Sequence, residues 1–151
     1  MAYKFDLHIQ PASLAEQIGS QRIMTFGFAS SVGVKGLQML LNSWLHCFLT
    51  PKGSDPTDLN YGTTFPTLIG SNVALEDARD IAHISVLECS SQLFKIQSSD
   101  LTLSNSERLA TAKMLSFIEH ASLPGFELFV EVKNLANDSS VINLPTPFAT
   151  S

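Results

Sequence analysis

The sequence predicts an α+β domain: a small, largely antiparallel sheet packed on two amphipathic helices, with an N-terminal extension that contains strand. Three observations predict it. Val34–Leu49 and Val73–Gln97 both place apolar residues three and four apart, the period of a helix with one buried stripe. Phe126–Lys133 reads Phe-Glu-Leu-Phe-Val-Glu-Val-Lys, rich in strand formers with Glu127, Glu131 and Lys133 among its polar positions. Leu123-Pro124-Gly125 is a turn directly before that strand, so the segment preceding the turn is its natural antiparallel partner.

Taken in order, Tyr3–Ile9 alternates, with Phe5, Leu7 and Ile9 on one side and Lys4, Asp6 and His8 on the other, which is the period of a half-buried strand. Gln10-Pro11-Ala12-Ser13 ends it. Arg22–Ala29 alternates again and is read as a second strand. In the first helix Leu37, Leu41, Trp44, Leu45 and Phe48 form the stripe, widened by Leu40 and Cys47, and Pro51 and Gly53 stop it. Thr50–Gly62 is a polar loop with two prolines, two glycines, two aspartates and the aromatic Tyr61. Phe65, Leu68 and Ile69 return to the core.

The second helix has Asn72 as its expected N-cap and Glu76 and Asp77 at its positive end. Its stripe is Ala78, Ala82, Val86, Cys89, Leu93 and Ile96. Residues 108–119 support two readings. Ser104-Asn105-Ser106-Glu107 has capping-box spacing ahead of helix formers, yet Leu109, Thr111, Lys113, Leu115 and Phe117 also alternate. The turn at Pro124 favours a hairpin with strands near 109–118 and 126–134. Val141–Leu144 is a short final strand, followed by Pro145 and Pro147. Residues 1–32 read as a strand-containing extension and 33–151 as the main domain.

Composition narrows the function. The chain has 151 residues, 44% apolar and 15% charged, with net charge −5, enough for one packed core and too little charge for a disordered chain. So little charge on a small domain leaves apolar surface for partners to cover. The nine basic residues are scattered, which argues against direct nucleic-acid binding. The N-terminus lacks the pattern of a signal peptide, and Val34–Leu49 is too short and polar to span a membrane. The expectation is synthesis in a cytoplasm with no insertion into a membrane.

The residues offer little chemistry. Cys47 and Cys89 sit inside apolar helical stretches and read as two buried free thiols. His8, His46, His83 and His120 are too dispersed to form a metal motif, and no cofactor is expected. His46 and Cys47 are adjacent on a helix, about 100° apart, so they are not a nucleophile and base. Glu88, Glu127 and Glu131 have no context that sets two carboxylates across a cleft, as glycoside hydrolysis needs. A non-enzymatic role is expected.

The segment Leu40–Gly70 carries a resemblance. A helix ends in Phe48-Leu49-Thr50-Pro51-Lys52-Gly53; a loop follows with Asp55-Pro56, then Asn60-Tyr61-Gly62-Thr63, then Phe65 and Leu68. This resembles the baseplate wedge subunits of contractile-tailed phages, the sheath initiators often labelled lysozyme-like. In that family a helix runs into a Leu-Thr-x-x-Gly stretch, and an aromatic-Gly-Ser/Thr step precedes the second helix. The likeness covers roughly residues 35–148 and includes the Pro-flanked C-terminal segment Leu144-Pro145-Thr146-Pro147-Phe148. The chain departs from the family where much of it carries Glu-Pro-Arg: here Glu88-Cys89-Ser90 stands at that place, so only Glu88 carries over.

The resemblance implies a structural subunit in the tail baseplate of a virion, made in the host bacterial cytoplasm. Its partners would be the tail sheath protein and other baseplate wedge proteins, with the tail tube as a further contact and six copies per baseplate. The loop residues Lys52, Gly53, Asp55, Tyr61 and Gly62 would dock it, with Tyr61 as anchor and Glu88 beside them. Val141, Ile142, Asn143, Leu144 and Phe148 would form the edge that exchanges strands with the sheath. The equivalent subunit of a phage-derived injection system fits the same residues. A peptidoglycan-cleaving enzyme and a small adaptor outside any tail are the alternatives from other classes.

Overall fold

A computed structural model describes residues 8–10, 25–27, 35–119 and 124–147. The elements are β1 (His8–Gln10), β2 (Thr25–Gly27), α1 (Leu37–Leu49), a 3-10 turn (Phe65–Leu68), α2 (Leu75–Ser99), β3 (Leu109–Glu119), β4 (Gly125–Asn134) and β5 (Ser139–Pro147). β1 and β2 pair antiparallel, with Ile9 opposite Phe26. The main sheet is antiparallel in the order β3-β4-β5, and both helices pack on one face of it, α2 against β3 and α1 against β4. The fold is α+β, as the periodicities predict. The expected strands at Tyr3–Ile9 and Arg22–Ala29 lie largely outside the described residues, as do Phe148 and most of the proposed 1–32 extension.

The core forms where the helix stripes meet the inner face of the sheet. Leu40, Leu41, Trp44, Leu45, Cys47 and Phe48 of α1 are buried with Ala78, Ala82, Val86, Cys89 and Leu93 of α2. They meet Phe126, Leu128, Val130 and Val132 of β4 and Ile142 and Leu144 of β5. Trp44 stacks on Phe48 with ring centroids 4.6 Å apart, and Phe48 meets Phe65 at 4.5 Å. Burying such side chains supplies most of the stability of a domain this size, at about 1.5–3 kcal/mol for each large apolar side chain.

The helix ends differ from expectation. α1 begins at Leu37, behind Gly36 at φ 66, and its exposed positive end receives a carboxylate from elsewhere: Gly36 N–H donates to Glu107 Oε1 at 3.3 Å. Thr50 closes the other end, its Oγ1 donating to the His46 carbonyl at 2.6 Å. Asn72 is not the N-cap of α2. Ala74 holds that place without a side-chain cap, because the helix starts two residues later than the polar signal suggests. The stripe also ends differently. Ile96 is 45% exposed and Gln97 is 6% exposed, since Gln97 Oε1 accepts from Leu109 N–H at 2.8 Å and its Nε2 donates to the Glu107 carbonyl at 3.2 Å.

The ambiguity at 108–119 resolves as strand, and the capping-box residues make a turn instead. Ser104 N–H and Oγ both donate to Glu107 Oε2, at 3.0 and 2.8 Å, and Glu107 N–H returns to the Ser104 carbonyl at 3.0 Å. The side-chain pairing is the one a helix start would use; the chain after it is extended because β4 offers it a ladder.

β3 does not alternate simply. Leu109 and Phe117 are buried, but Thr111, Lys113 and Leu115, expected on the same face, are exposed. Register shifts between Leu109 and Thr111 and between Met114 and Ser116 mark two bulges, and each extra residue reverses the parity of the strand beyond it. Ala112 and Met114 therefore reach the core side.

Candidate functional site

Two features carry the residues singled out in the sequence: the loop between α1 and the 3-10 turn, and the outer edge of β5. The loop is closed at its base. Thr63 N–H donates to the Thr50 carbonyl at 2.9 Å and Lys52 N–H to the Thr63 carbonyl at 3.0 Å. Thr63 Oγ1, fully buried, donates to the Phe48 carbonyl at 2.7 Å. Gln92 of α2 holds Gly62 from both sides. A chain that leaves and returns at one point, packed by its own side chains, is an Ω-loop.

The loop's path is set by short local bonds. Asp55 Oδ1 accepts from Thr57 N–H at 2.8 Å and Thr57 Oγ1 at 2.6 Å. Those bonds hold the Asp55 carboxyl below its ordinary range. Asp58 Oδ1 accepts from Asn60 N–H at 3.0 Å, and the Asp58 carbonyl from Tyr61 N–H at 3.0 Å. These are Asx-type turns, which the Asp-rich sequence favours for this reason. Gly53, at φ 82, makes the tight reversal.

Of the expected docking residues, Lys52 and Gly53 are exposed, Asp55 and Tyr61 are half-buried, and Gly62 is buried. Tyr61 is half-buried, its hydroxyl 2.8 Å from His46 Nδ1, and burial pushes its phenol well above the ordinary value. Gly62 is buried, and its close backbone approach is to its own chain: a Cβ there would stand 2.4 Å from the Thr50 carbonyl oxygen. The exposed apolar residue at the tip is Leu59, 67% exposed; its place in a polar run gave no periodic signal. Glu88 lies in the middle of α2, and the structure joins it to Lys52, with Nζ to Oε1 at 2.8 Å. At this exposure such a pair contributes at most about 1 kcal/mol.

The β5 edge is longer than expected. Val141, Ile142, Asn143 and Leu144 are its centre, but the strand runs on through Pro145 and Pro147. The reason is geometric. Asn134 N–H donates to the Asp138 carbonyl at 2.9 Å, which fixes the phase of the β4–β5 ladder, with Val130 opposite Ile142 and Leu128 opposite Leu144. Even-numbered residues of β5 therefore bond to β4, and odd-numbered ones turn their N–H and C=O away from it. Both prolines are odd-numbered, where a missing N–H costs no bond in the sheet. The outward carbonyl of Pro147 accepts from Gly70 N–H at 3.0 Å. Ser139, Val141 and Asn143 carry the outward N–H groups.

The two edges of the sheet differ. β3 is interrupted by its two bulges, which twist an edge away from further pairing. β5 keeps an unbroken register from Ser139 to Pro147, and among the described residues only β4 pairs with it. Ile142 and Leu144 point into the core, so their side chains are not available to a partner; Val141, 54% exposed, is.

Among the described residues no group of three or more His, Cys, Asp or Glu could hold a metal ion, and no helix is long and apolar enough to cross a membrane. The fold and site define an α+β domain with a hydrogen-bonded Ω-loop and a regular sheet edge. The chain matches no model of a known protein family and no curated protein.

Proposed function

We propose that this chain is a non-enzymatic structural subunit of a contractile phage tail baseplate, which links the wedge to the first sheath ring and templates sheath assembly by strand addition. The observation that carries the reading is the β5 edge: an unbroken strand with outward N–H groups at Ser139, Val141 and Asn143. An extended segment of a sheath subunit would add there through main-chain hydrogen bonds. Pro145 and Pro147 would end the added ladder, because they bring no donors to that edge.

The Ω-loop supplies a second contact, toward other wedge proteins. Its turns are formed before any partner arrives, so docking it costs little ordering entropy. Lys52, Gly53, Asp55 and the exposed Leu59 would make that contact, with the Lys52–Glu88 pair at its margin. The resemblance of Phe48–Thr63 to the sheath-initiator loop supports the assignment, and the equivalent subunit of a phage-derived injection system would use the same surfaces.

Electron microscopy of particles carrying Val141→Pro tests it. The expected result is baseplates that contain the chain and lack sheath. Normal sheath on those particles, or absence of the chain from purified baseplates, would sink the reading.

A further inference from the structure

Neither surface uses the two cysteines. Cys47 of α1 and Cys89 of α2 are both fully buried and free. Cys47 Sγ donates to Gln92 Oε1 at 3.3 Å, and Cys89 Sγ to the Trp44 carbonyl at 3.5 Å. Gln92 lies one turn after Cys89 and Trp44 one turn before Cys47, so each sulfur reaches the turn that bears the other. The two thiols are also close enough that each shifts the other's hold on its proton. A disulfide joins cysteines whose Cα atoms are about 4.4–6.8 Å apart, and sulfurs that each reach the other's helix set these two on facing turns of α1 and α2.

The two sulfurs are unequal. Cys47 is held below its ordinary value, first by the neighbouring Cys89 thiol and then, against the opposing effect of burial, by Gly62 N–H and Tyr61. Burial drives Cys89 far up. The sulfur with more thiolate character is oxidised first, and its neighbour resolves it.

We propose that Cys47 and Cys89 are a redox pair that closes to a disulfide between α1 and α2, with a small peroxide as oxidant. In the first step the Cys47 thiolate attacks hydrogen peroxide: an S–O bond forms, the O–O bond breaks, and hydroxide leaves to take up the thiol's proton as water. In the second the Cys89 sulfur attacks the Cys47 sulfenic acid: the S–S bond forms, the S–O bond breaks, and the Cys89 proton leaves with the hydroxyl as water. One peroxide is reduced to two waters and two thiols are oxidised to one disulfide. Cys47 lies under the Tyr61–Gly62 backbone, so peroxide enters when the base of the Ω-loop opens. The bridge would then lock α1 to α2 on both sides of that loop.

The test uses the folded full-length chain, exposed to hydrogen peroxide, then unfolded and alkylated. The expected product is a monomer that has lost the mass of two hydrogens and both alkylatable thiols together. It should yield a reducible peptide pair joining Cys47 to Cys89, and a higher unfolding midpoint that a dithiol reductant returns to the starting value. A Cys89→Ala chain, if it folds, should instead accumulate a sulfenic acid at Cys47 that a dimedone probe captures. Two free thiols after exposure, over-oxidation of either cysteine without the bridge, or a bridge only between molecules would each overturn the proposal, and the wild-type measurement decides among them without the variant.

Discussion

Gln92 clasps the backbone of Gly62 with both ends of its amide: Nε2 donates to the Gly62 carbonyl at 2.9 Å, and Oε1 accepts from the Gly62 N–H at 2.9 Å. A side chain in the middle of α2 thus stands in for a neighbouring strand and fixes where the Ω-loop closes. The loop's geometry depends on a contact thirty positions away in sequence.

Substituting either partner should open that closure. Gly62 is at φ 96, and a Cβ would meet the Thr50 oxygen at 2.4 Å and the Pro51 carbonyl at 3.1 Å. Gly62→Ala is expected to destabilise by about 2–4 kcal/mol, from backbone strain and a clash with main chain that has no room to yield. Gln92→Ala leaves both Gly62 groups without partners and should cost about 1–3 kcal/mol. Urea unfolding of each variant measures this. Wild-type stability in Gly62→Ala would mean that the loop does not close at this point.

Arg108 should matter more than its place after a polar turn suggests. Its guanidinium donates to three carbonyls at the C-terminal end of α2 and just beyond: Gln97 at 3.0 Å, Asp100 at 2.7 Å and Leu103 at 3.2 Å. Cations and donors are favoured there by the helix dipole and the unpaired carbonyls. Lysine carries its three donors on one nitrogen, which cannot match carbonyls held separately by Nε, Nη1 and Nη2 of a planar guanidinium. Arg108→Lys is expected to lose about 1–2 kcal/mol, and Arg108→Ala somewhat more, read as shifts in denaturant midpoint at unchanged slope.

Proline substitutions along β5 should follow parity. Val141 turns its N–H away from β4, so Val141→Pro keeps every ladder bond and should cost no more than about 1–2 kcal/mol. Ile142 bonds to Val130 and points into the core, and Ile142→Pro should cost about 3 kcal/mol or more. Similar losses in the two variants would show that the ladder has the opposite phase.

Acid should weaken the joint between α1 and the turn before β3. Hydrogen bonds from Ser104, backbone and side chain, hold Glu107 below its ordinary value of 4.5, against a small opposing effect of burial. The folded state thus binds the proton less well than the unfolded state. The contribution is fully present above 4.5 and is lost as pH falls from there through the depressed value. Glu107→Gln removes this pH dependence. Thermal midpoints of wild type and Glu107→Gln should converge as the pH falls through that range; a constant gap would mean that Glu107 does not titrate differently on folding.

Much of this fold can be read from periodicity alone. The α1 stripe, most of the α2 stripe and the β4 alternation each repeat a local pattern whose buried face is the same wherever the element docks. Asp55, Asp58 and Gly53 likewise specify turns through bonds to their own neighbourhood. Other features depend on partners far away in the chain. Ser104–Glu107 carries a helix-start signal and makes the bonds of one, but the ladder offered by β4 turns the next residues into strand. Leu115 reads as a core residue and stands outside because of a bulge. Gln97 is buried where the helical period places Ile96, since its amide serves Leu109 and Glu107. Tyr61 reads as an interface anchor, and its hydroxyl is held by His46, fifteen positions away in sequence.

By itself the sequence determined the elements and their apolar faces, because helix and strand periods are properties of a few consecutive residues. Only the tertiary structure decided the parity of β3, the outward turn of Val141 and both prolines, the facing of Cys47 and Cys89, and the clasp of Gln92 on Gly62. Each of these depends on which hydrogen-bonding group a distant segment brings within about 3 Å, and no local pattern records that distance.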